Sequence, residues 1–356
     1  MRSMQIINWG KPLELREMET PIPKGSEVLI QVEACGVCHS DLHIRSGFFD
    51  LGKGEKFPIE ERGVFTPFTM GHEPVGTVVA TGQSSDEGII GKSFTIYPWI
   101  SCDKCEPCIN GYTQVCDSPN IIGTRVDGAY SDYVIVPDKK YLFDYSGINV
   151  DLACTLACSG LTTFSALRKI QPEFLGSQDC VLIIGAGGLG LTAICLLKSM
   201  SKARIIVSDI SGEHRRIAKD LGANYCIDPG DSNSIGNLQA YAHHNNGKGI
   251  AATLDLVGLP ETMKFGLSNL RKGGHHVHVG LFGGAHTISL PPLAFRMLKI
   301  SGSYVGSLRE FKELIDLIKS GVKLPIPITQ RPLKEASFAL DDLEAGNVIG
   351  RIVLKP

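Results

Sequence analysis

Residues 180–200, CVLIIGAGGLGLTAICLLKSM, restrict the fold more than any other segment of this chain. CVLII is an unbroken apolar run, as expected of a strand buried on both faces of a sheet. GAGGLG then sets Gly185, Gly187 and Gly190 in the pattern G-x-G-x-x-G and leads into an apolar helix. Taken alone the pattern is weak. Between a strand and a helix it makes the turn that cradles a dinucleotide pyrophosphate. Glycine permits the tight turn and the close backbone approach, and the helix start offers free N–H groups with partial positive charge. Gly188 and Leu189 belong to the same cradle.

The alternation continues downstream. ARIIVSD, GEHRRIAKDLG and NYCID read as strand, helix and strand, and AATLDLVG, PETMKFGLSNLRKG, HHVHVGLFG and RMLKISGSYVG repeat it. Apolar strands separated by helices argue for a doubly wound parallel sheet. Asp209 closes the second strand, nineteen positions past Gly190. An acid there accepts hydrogen bonds from both ribose hydroxyls of NAD and repels the extra phosphate of NADP. A strand-end acid capping the next helix is the plainer reading. His214, Arg215 and Arg216 follow closely and soften the preference against NADP.

Before residue 152 the character differs. SEVLIQVEA, VGTVVATG and SDYVIVP are short β-branched runs bounded by Gly, Pro and Ser, which read as strands. Residues 48–68 read as a long Gly/Pro-punctuated loop. DLACTLACSGLTTFSALRKI looks helical, and the tail adds two helical stretches before a last strand, RIVLKP. A chain of 356 residues suggests two domains.

The net charge of −2 carries no basic surplus to recruit nucleic acid or a membrane surface. The N-terminus does not read as a secretory signal, and no apolar run is expected to reach the ~20 residues a bilayer needs. A cytoplasmic location follows as the expectation. Eleven cysteines in a reducing compartment then suggest metal ligands or buried thiols rather than disulfides.

Cys102, Cys105, Cys108 and Cys116 crowd one short stretch, SCDKCEPCINGYTQVC. Four thiolates at such spacing close a tetrahedral zinc shell and leave no open position, so they read as a structural staple. An iron–sulfur cluster is the other metal reading, and four unrelated buried thiols the plain one. A catalytic zinc keeps three protein ligands and one open position. Candidates lie in GVCHSDLH, GHEPVG and ACSG, where Cys38, His72 and Cys158 offer two thiolates and an imidazole. Spacing does not decide for that set, because its members are far apart and a lone His in a strand region reads equally as a core residue.

GVCHSDLH, MGHEPVG, the four-cysteine lobe, DGAYSDYVIVP, ACSGLTT, GAGGLG and the terminal GRIVL occur in one order over nearly the whole chain. Together they closely resemble the zinc-containing, medium-chain alcohol dehydrogenase family. The resemblance implies an α/β chain with two domains. A GroES-like β-rich catalytic domain would comprise residues 1–158 and 304–356 and hold both zinc sites. A Rossmann NAD-binding domain would span 159–303. It implies two zinc ions per chain, with Cys38, His72 and Cys158 on the catalytic one, and oxidation of a primary or secondary alcohol to an aldehyde or ketone with hydride passing to NAD. Ser40 takes the hydroxyl proton in this scheme and His43 delivers it to solvent. Asp41 and Glu73 stand behind the metal. His39 and Arg351 approach the cofactor phosphates, Thr162 lies beside the nicotinamide, and Leu281 is a further cofactor contact. The family forms dimers or tetramers, and a homotetramer is favoured here.

Departures remain. Many NAD-preferring members carry Lys where this chain has His214. Trp99 and Phe49 are candidate pocket residues, with core aromatics the alternative. His275, His276 and His278 look like a metal cluster, but alternate strand residues face opposite sides, which favours a structural reading. Cys35, Cys154, Cys180, Cys195 and Cys226 read as buried thiols. Polyol or cinnamyl-type dehydrogenases of the same family are the alternative enzymes. A nucleotide-binding member without catalysis is the alternative class, and it should have lost a ligand or the relay.

Overall fold

A computed structural model describes the backbone of residues 1–356 and every side chain but that of Asn245. CVLII forms the strand Cys180–Ile184, buried along its whole length. It belongs to a six-stranded sheet whose strands, numbered along the chain, lie in the order 3-2-1-4-5-6, and every pairing is parallel. This is the doubly wound Rossmann arrangement. Its order reverses between Cys180–Ile184 and Ile250–Asp255, so a crevice opens at the carboxyl ends there. Gly185 takes φ +92° at the turn, a conformation side chains rarely tolerate. A Cβ on Gly190 would collide with the Gly185 carbonyl, so the last glycine is what lets the helix Gly188–Met200 start against the strand.

The second sheet has seven strands. Val28–Val37 pairs antiparallel with Pro74–Thr81, with Tyr133–Val136 and with the terminal strand Arg351–Lys355. Both chain ends therefore meet in one β-rich unit, and the parallel sheet lies between them in sequence.

Three sequence expectations need correcting. Residues 48–68 are not a loop: Phe48–Gly52 and Glu55–Pro58 form an antiparallel hairpin, with Lys53 and Gly54 both at positive φ in its turn. Second, one run is long and apolar enough to cross a bilayer, Val150–Lys169, with 20 residues. Of its most apolar window 89% is buried inside the fold, so it is a core helix. Third, the helix Ser232–His243 was missed. SNSIGNLQAYAH is polar and contains a glycine, and it buries only Leu238 and Ala242, with Tyr241 packed partly against the same core.

Candidate active site

The central strand Val28–Val37 delivers Cys38, which caps the short helix His39–Ser46. Three residues on, Asp41 is fully buried. Its Oδ2 accepts the Cys38 N–H at 2.9 Å and the Tyr130 hydroxyl at 2.9 Å. Its Oδ1 lies 3.1 Å from His72 Nδ1. One carboxylate thus orients two candidate ligands that stand in different parts of the chain. With Nδ1 held, His72 Nε2 is buried and has no partner among the described residues. Such an orphan costs roughly 1–3 kcal/mol if nothing fills its lone pair.

Cys158 arrives from the other side, on a π-helical turn, Leu156–Gly160, set between the helices Val150–Thr155 and Leu161–Lys169. Turns of this kind often mark functional positions. Cys38 Sγ and Cys158 Sγ are 3.9 Å apart, and the ligand atoms of Cys38, His72, Glu73 and Cys158 all lie within 4.8 Å of one another. The hydrogen bond from Cys158, with help from His72, draws Cys38 well below the ordinary thiol value, and Cys158 is pushed up in turn. Burial opposes a charged His72, but the Asp41 carboxylate and the Cys38 thiolate together outweigh it and raise the imidazole. Two thiols and an imidazole that hold their protons only against one another suit a shared cation.

Glu73 is buried against Arg351, whose Nη2 reaches its two oxygens at 2.5 and 2.6 Å. Burial pushes the Glu73 carboxyl up to about 7 even beside that guanidinium. Arg351 was expected at the cofactor phosphates. Its stem does pack on the cradle, since a Cβ on Gly188 would collide with it, but this guanidinium nitrogen is turned to Glu73.

Ser40 and His43 share one face of the short helix, three residues apart. The His43 ring lies 5.0 Å from the Phe49 ring, with Nε2 buried and unpartnered among the described residues. The His39 ring packs against the Phe282 ring, tilted by 35°, with centroids 4.4 Å apart. Burial lowers both imidazoles.

In the crevice, Asp209 Oδ2 accepts the Ala186 N–H at 2.6 Å and Oδ1 the Ser211 N–H at 2.8 Å. His214 Nδ1 stands 3.4 Å from the same carboxylate. Asp209 and Gly185 line a cavity of about 280 Å³ closed by Val257 and Phe265. A Cβ on Gly187 would meet nothing within 4 Å, and no side chain among the described residues caps the helix that starts there. That open space beside free N–H groups fits a dinucleotide. A second cavity, of about 540 Å³, lies where the hairpin faces the loop after Leu270–His278; Phe49, Phe57, Leu281 and Tyr304 line it. Thr162 is buried at the start of the helix after Cys158. Trp99 is a core residue rather than a pocket wall: its Nε1 donates to the Ala157 carbonyl at 3.0 Å, and its ring sits between His72 and Tyr304.

Cys102, Cys105, Cys108 and Cys116 converge within 4.8 Å, and the Cys102 and Ser118 N–H groups point at Cys116 Sγ at 3.2 and 3.4 Å. Backbone N–H groups pull Cys102 to about 6, whereas burial pushes Cys108 to about 12. A set so divided among protonation states gains four thiolates only with a cation.

Tyr130 and Tyr304 escaped the sequence reading. Tyr130 lies inside DGAYSDYVIVP, but nothing local marks its hydroxyl as a partner of Asp41.

Residues 24–145 match the family model for the alcohol dehydrogenase GroES-like domain, and residues 188–320 that for zinc-binding dehydrogenase. An NAD-dependent alcohol dehydrogenase of Sulfurisphaera tokodaii is 37% identical over 357 residues, covering 100% of both chains. D-arabinose 1-dehydrogenase (NADP(+)) of Saccharolobus solfataricus is 30% identical, covering 98% of this chain and 95% of its own. The solved structure of the alcohol dehydrogenase from Aeropyrum pernix superposes with a TM-score of 0.87 at 26% identity, covering 100% of both chains. A GroES-like unit joined to a Rossmann sheet defines a zinc-binding dehydrogenase architecture. Within it, the chain belongs to the zinc-containing medium-chain alcohol dehydrogenase family.

Proposed function

We propose that this chain catalyses reversible, NAD-dependent oxidation of a primary or secondary alcohol to an aldehyde or ketone. The observation that carries the reading is the meeting of Cys38, Cys158 and the unpartnered His72 Nε2 beside a dinucleotide crevice. Cys38, His72 and Cys158 would hold the catalytic zinc, and Cys102, Cys105, Cys108 and Cys116 a structural one, two per chain. When bound, zinc acidifies a hydroxyl and NAD accepts hydride. The chain does the rest. Asp41 keeps the His72 proton on Nδ1, away from the metal. Glu73, paired with Arg351, limits negative charge behind the centre. The Ser40 hydroxyl, which donates and accepts at once, takes the substrate proton, and His43, kept neutral by burial, is ready to receive it. Phe49, Phe57 and Tyr304 give the larger cavity an aromatic wall.

Gly185, Gly187, Gly188, Leu189 and Gly190 would cradle the pyrophosphate and Asp209 the ribose, with His39, Thr162, Leu281 and Arg351 around the remainder. The catalytic domain would comprise 1–158 and 304–356, the cofactor domain 159–303. Leu290, Phe295 and Met297 are each about two-thirds or more exposed beside Lys299–Gly302, the edge strand of the parallel sheet, which supports a homo-oligomer; a tetramer over a dimer is what the resemblance favours. A cytoplasmic location belongs to the same reading.

A sugar or polyol substrate with NADP is the second reading, favoured by the D-arabinose relative. Asp209 argues against it, because a half-buried, backbone-anchored carboxylate repels a 2′-phosphate. Reduced-nicotinamide absorbance during turnover of simple, aromatic, secondary and polyol alcohols, each with NAD and NADP, separates the two. NAD-linked oxidation of simple or aromatic alcohols is expected. Activity confined to polyols or to NADP would overturn the proposal.

A further inference from the structure

Strand alternation sends His275 away from His276 and His278. His275 Nε2 bonds Ser301 Oγ at 2.7 Å. The other two share a face, and register with the neighbouring parallel strand sets His276 beside Thr253 and His278 beside Asp255. All four polar side chains lie on a face otherwise filled by Leu182, Ile184 and Ile206.

His276 is fully buried. Its Nδ1 lies 2.7 Å from Thr253 Oγ1, while Nε2 has no partner among the described residues, and neither has His278 Nδ1. Asp255, also fully buried, accepts the Val257 and Gly258 N–H groups at Oδ1 and the Thr262 hydroxyl at Oδ2. That second oxygen stands 3.7 Å from His278 Nδ1. Gly266 makes room for the imidazole: a Cβ there would come within 2.7 Å of His276 Nδ1. Two buried ring nitrogens without partners, gathered near a carboxylate, are costly in an apolar layer that any Val or Ile would fill.

We propose that Asp255, His276 and His278 form an additional site for a divalent transition metal such as zinc or cobalt. Their ligand atoms lie within 4.8 Å of one another, the same span that gathers Cys38, His72 and Cys158. Two imidazoles and a carboxylate are a familiar donor set for these ions. Thr253 accepting from Nδ1–H would fix the tautomer that leaves Nε2 free to ligate. Zinc–nitrogen bonds of ~2.0–2.1 Å require His278 to swing inward. Its side chain is 38% exposed and lines the 540 Å³ cavity, so it has both the room to move and a path for the ion.

The test is cobalt titration of the full-length, zinc-loaded protein, followed by calorimetry and visible absorption. The wild type should take up one further equivalent, whose spectrum shows cobalt d–d bands without thiolate charge transfer. His278→Gln, at a position exposed enough to keep the fold, should lose that equivalent or bind it at least tenfold more weakly; circular dichroism checks the fold. A wild type with no further equivalent, or one carrying the thiolate band, overturns the proposal. So does equal uptake by folded His278→Gln.

Discussion

Replacing Asp41 by Asn should weaken metal binding at the proposed catalytic site while sparing the rest of the molecule. The carboxylate serves three groups at once: the Cys38 N–H, the Tyr130 hydroxyl and His72 Nδ1. An amide has one accepting oxygen. If that oxygen stays on Cys38 and Tyr130, the amide N–H₂ faces His72 Nδ1, and the imidazole must move its proton to Nε2, the atom that would bind metal. If the amide turns over, its N–H₂ confronts the Cys38 N–H, two donors in a buried space. Either way one hydrogen bond to a charged partner is lost, worth ~1.5–3 kcal/mol. At about 1.4 kcal/mol per factor of ten, zinc affinity should fall roughly 10- to 100-fold, the usual cost of a lost partner behind a metal ligand. Competition between the protein and a chromophoric chelator measures this directly, and the four-cysteine ion is an internal control that should not move. Turnover should fall with occupancy and return with added zinc. A folded Asp41→Asn protein with affinity within about twofold of wild type would refute the reasoning.

Cys105→Ala opens the four-thiolate lobe, so it should chiefly lower stability in thermal melts, because metal binding there is folding energy; full stability with lost turnover would contradict a structural role. Arg351→Met leaves Glu73 buried without a partner and should cost ~3–5 kcal/mol in denaturant unfolding, with Glu73→Gln added to it recovering much of the loss; equal stability of single variant and wild type would count against the buried pair. The hydrogen bond to Asp209 raises His214 above its ordinary 6.5. That pairing is therefore fully present below the unfolded value and is lost as pH rises through the folded one. The melting-temperature gap between wild type and His214→Gln should be wider near about pH 6 than near about pH 9, and a gap that widens with pH would show the sign to be wrong.

Local chemistry was legible in the sequence, and long-range pairing was not. The glycine cradle announces itself because its turn, strand and helix are contiguous, and the four-cysteine lobe because its ligands are a few residues apart. Cys38 and Cys158 are 120 positions apart, and spacing said nothing of them until the order of seven motifs suggested a family. Arg351 and Glu73 are 278 apart. A terminal arginine reads as a phosphate ligand or a solvated end, and only the pairing of the last strand with Val28–Val37 carries it behind the metal site. In the hairpin the obstacle was the opposite one: Gly52, Gly54 and Pro58 look like loop punctuation, yet positive φ at Lys53 and Gly54 is what closes a tight turn.

The three histidines show where such reasoning stops. Alternation along one strand correctly parts His275 from His276 and His278. Alternation by itself favours a structural reading of the three, but parity only says which residues share a face. What they meet there depends on the register of the next strand, and that register sets Asp255 beside His278 and Thr253 beside His276. Had the strands slipped by one residue, every side chain of one would face the opposite layer, and the carboxylate would stand away from both imidazoles. The donor set is therefore a product of packing, created by the same parallel sheet that opens the cofactor crevice a strand away.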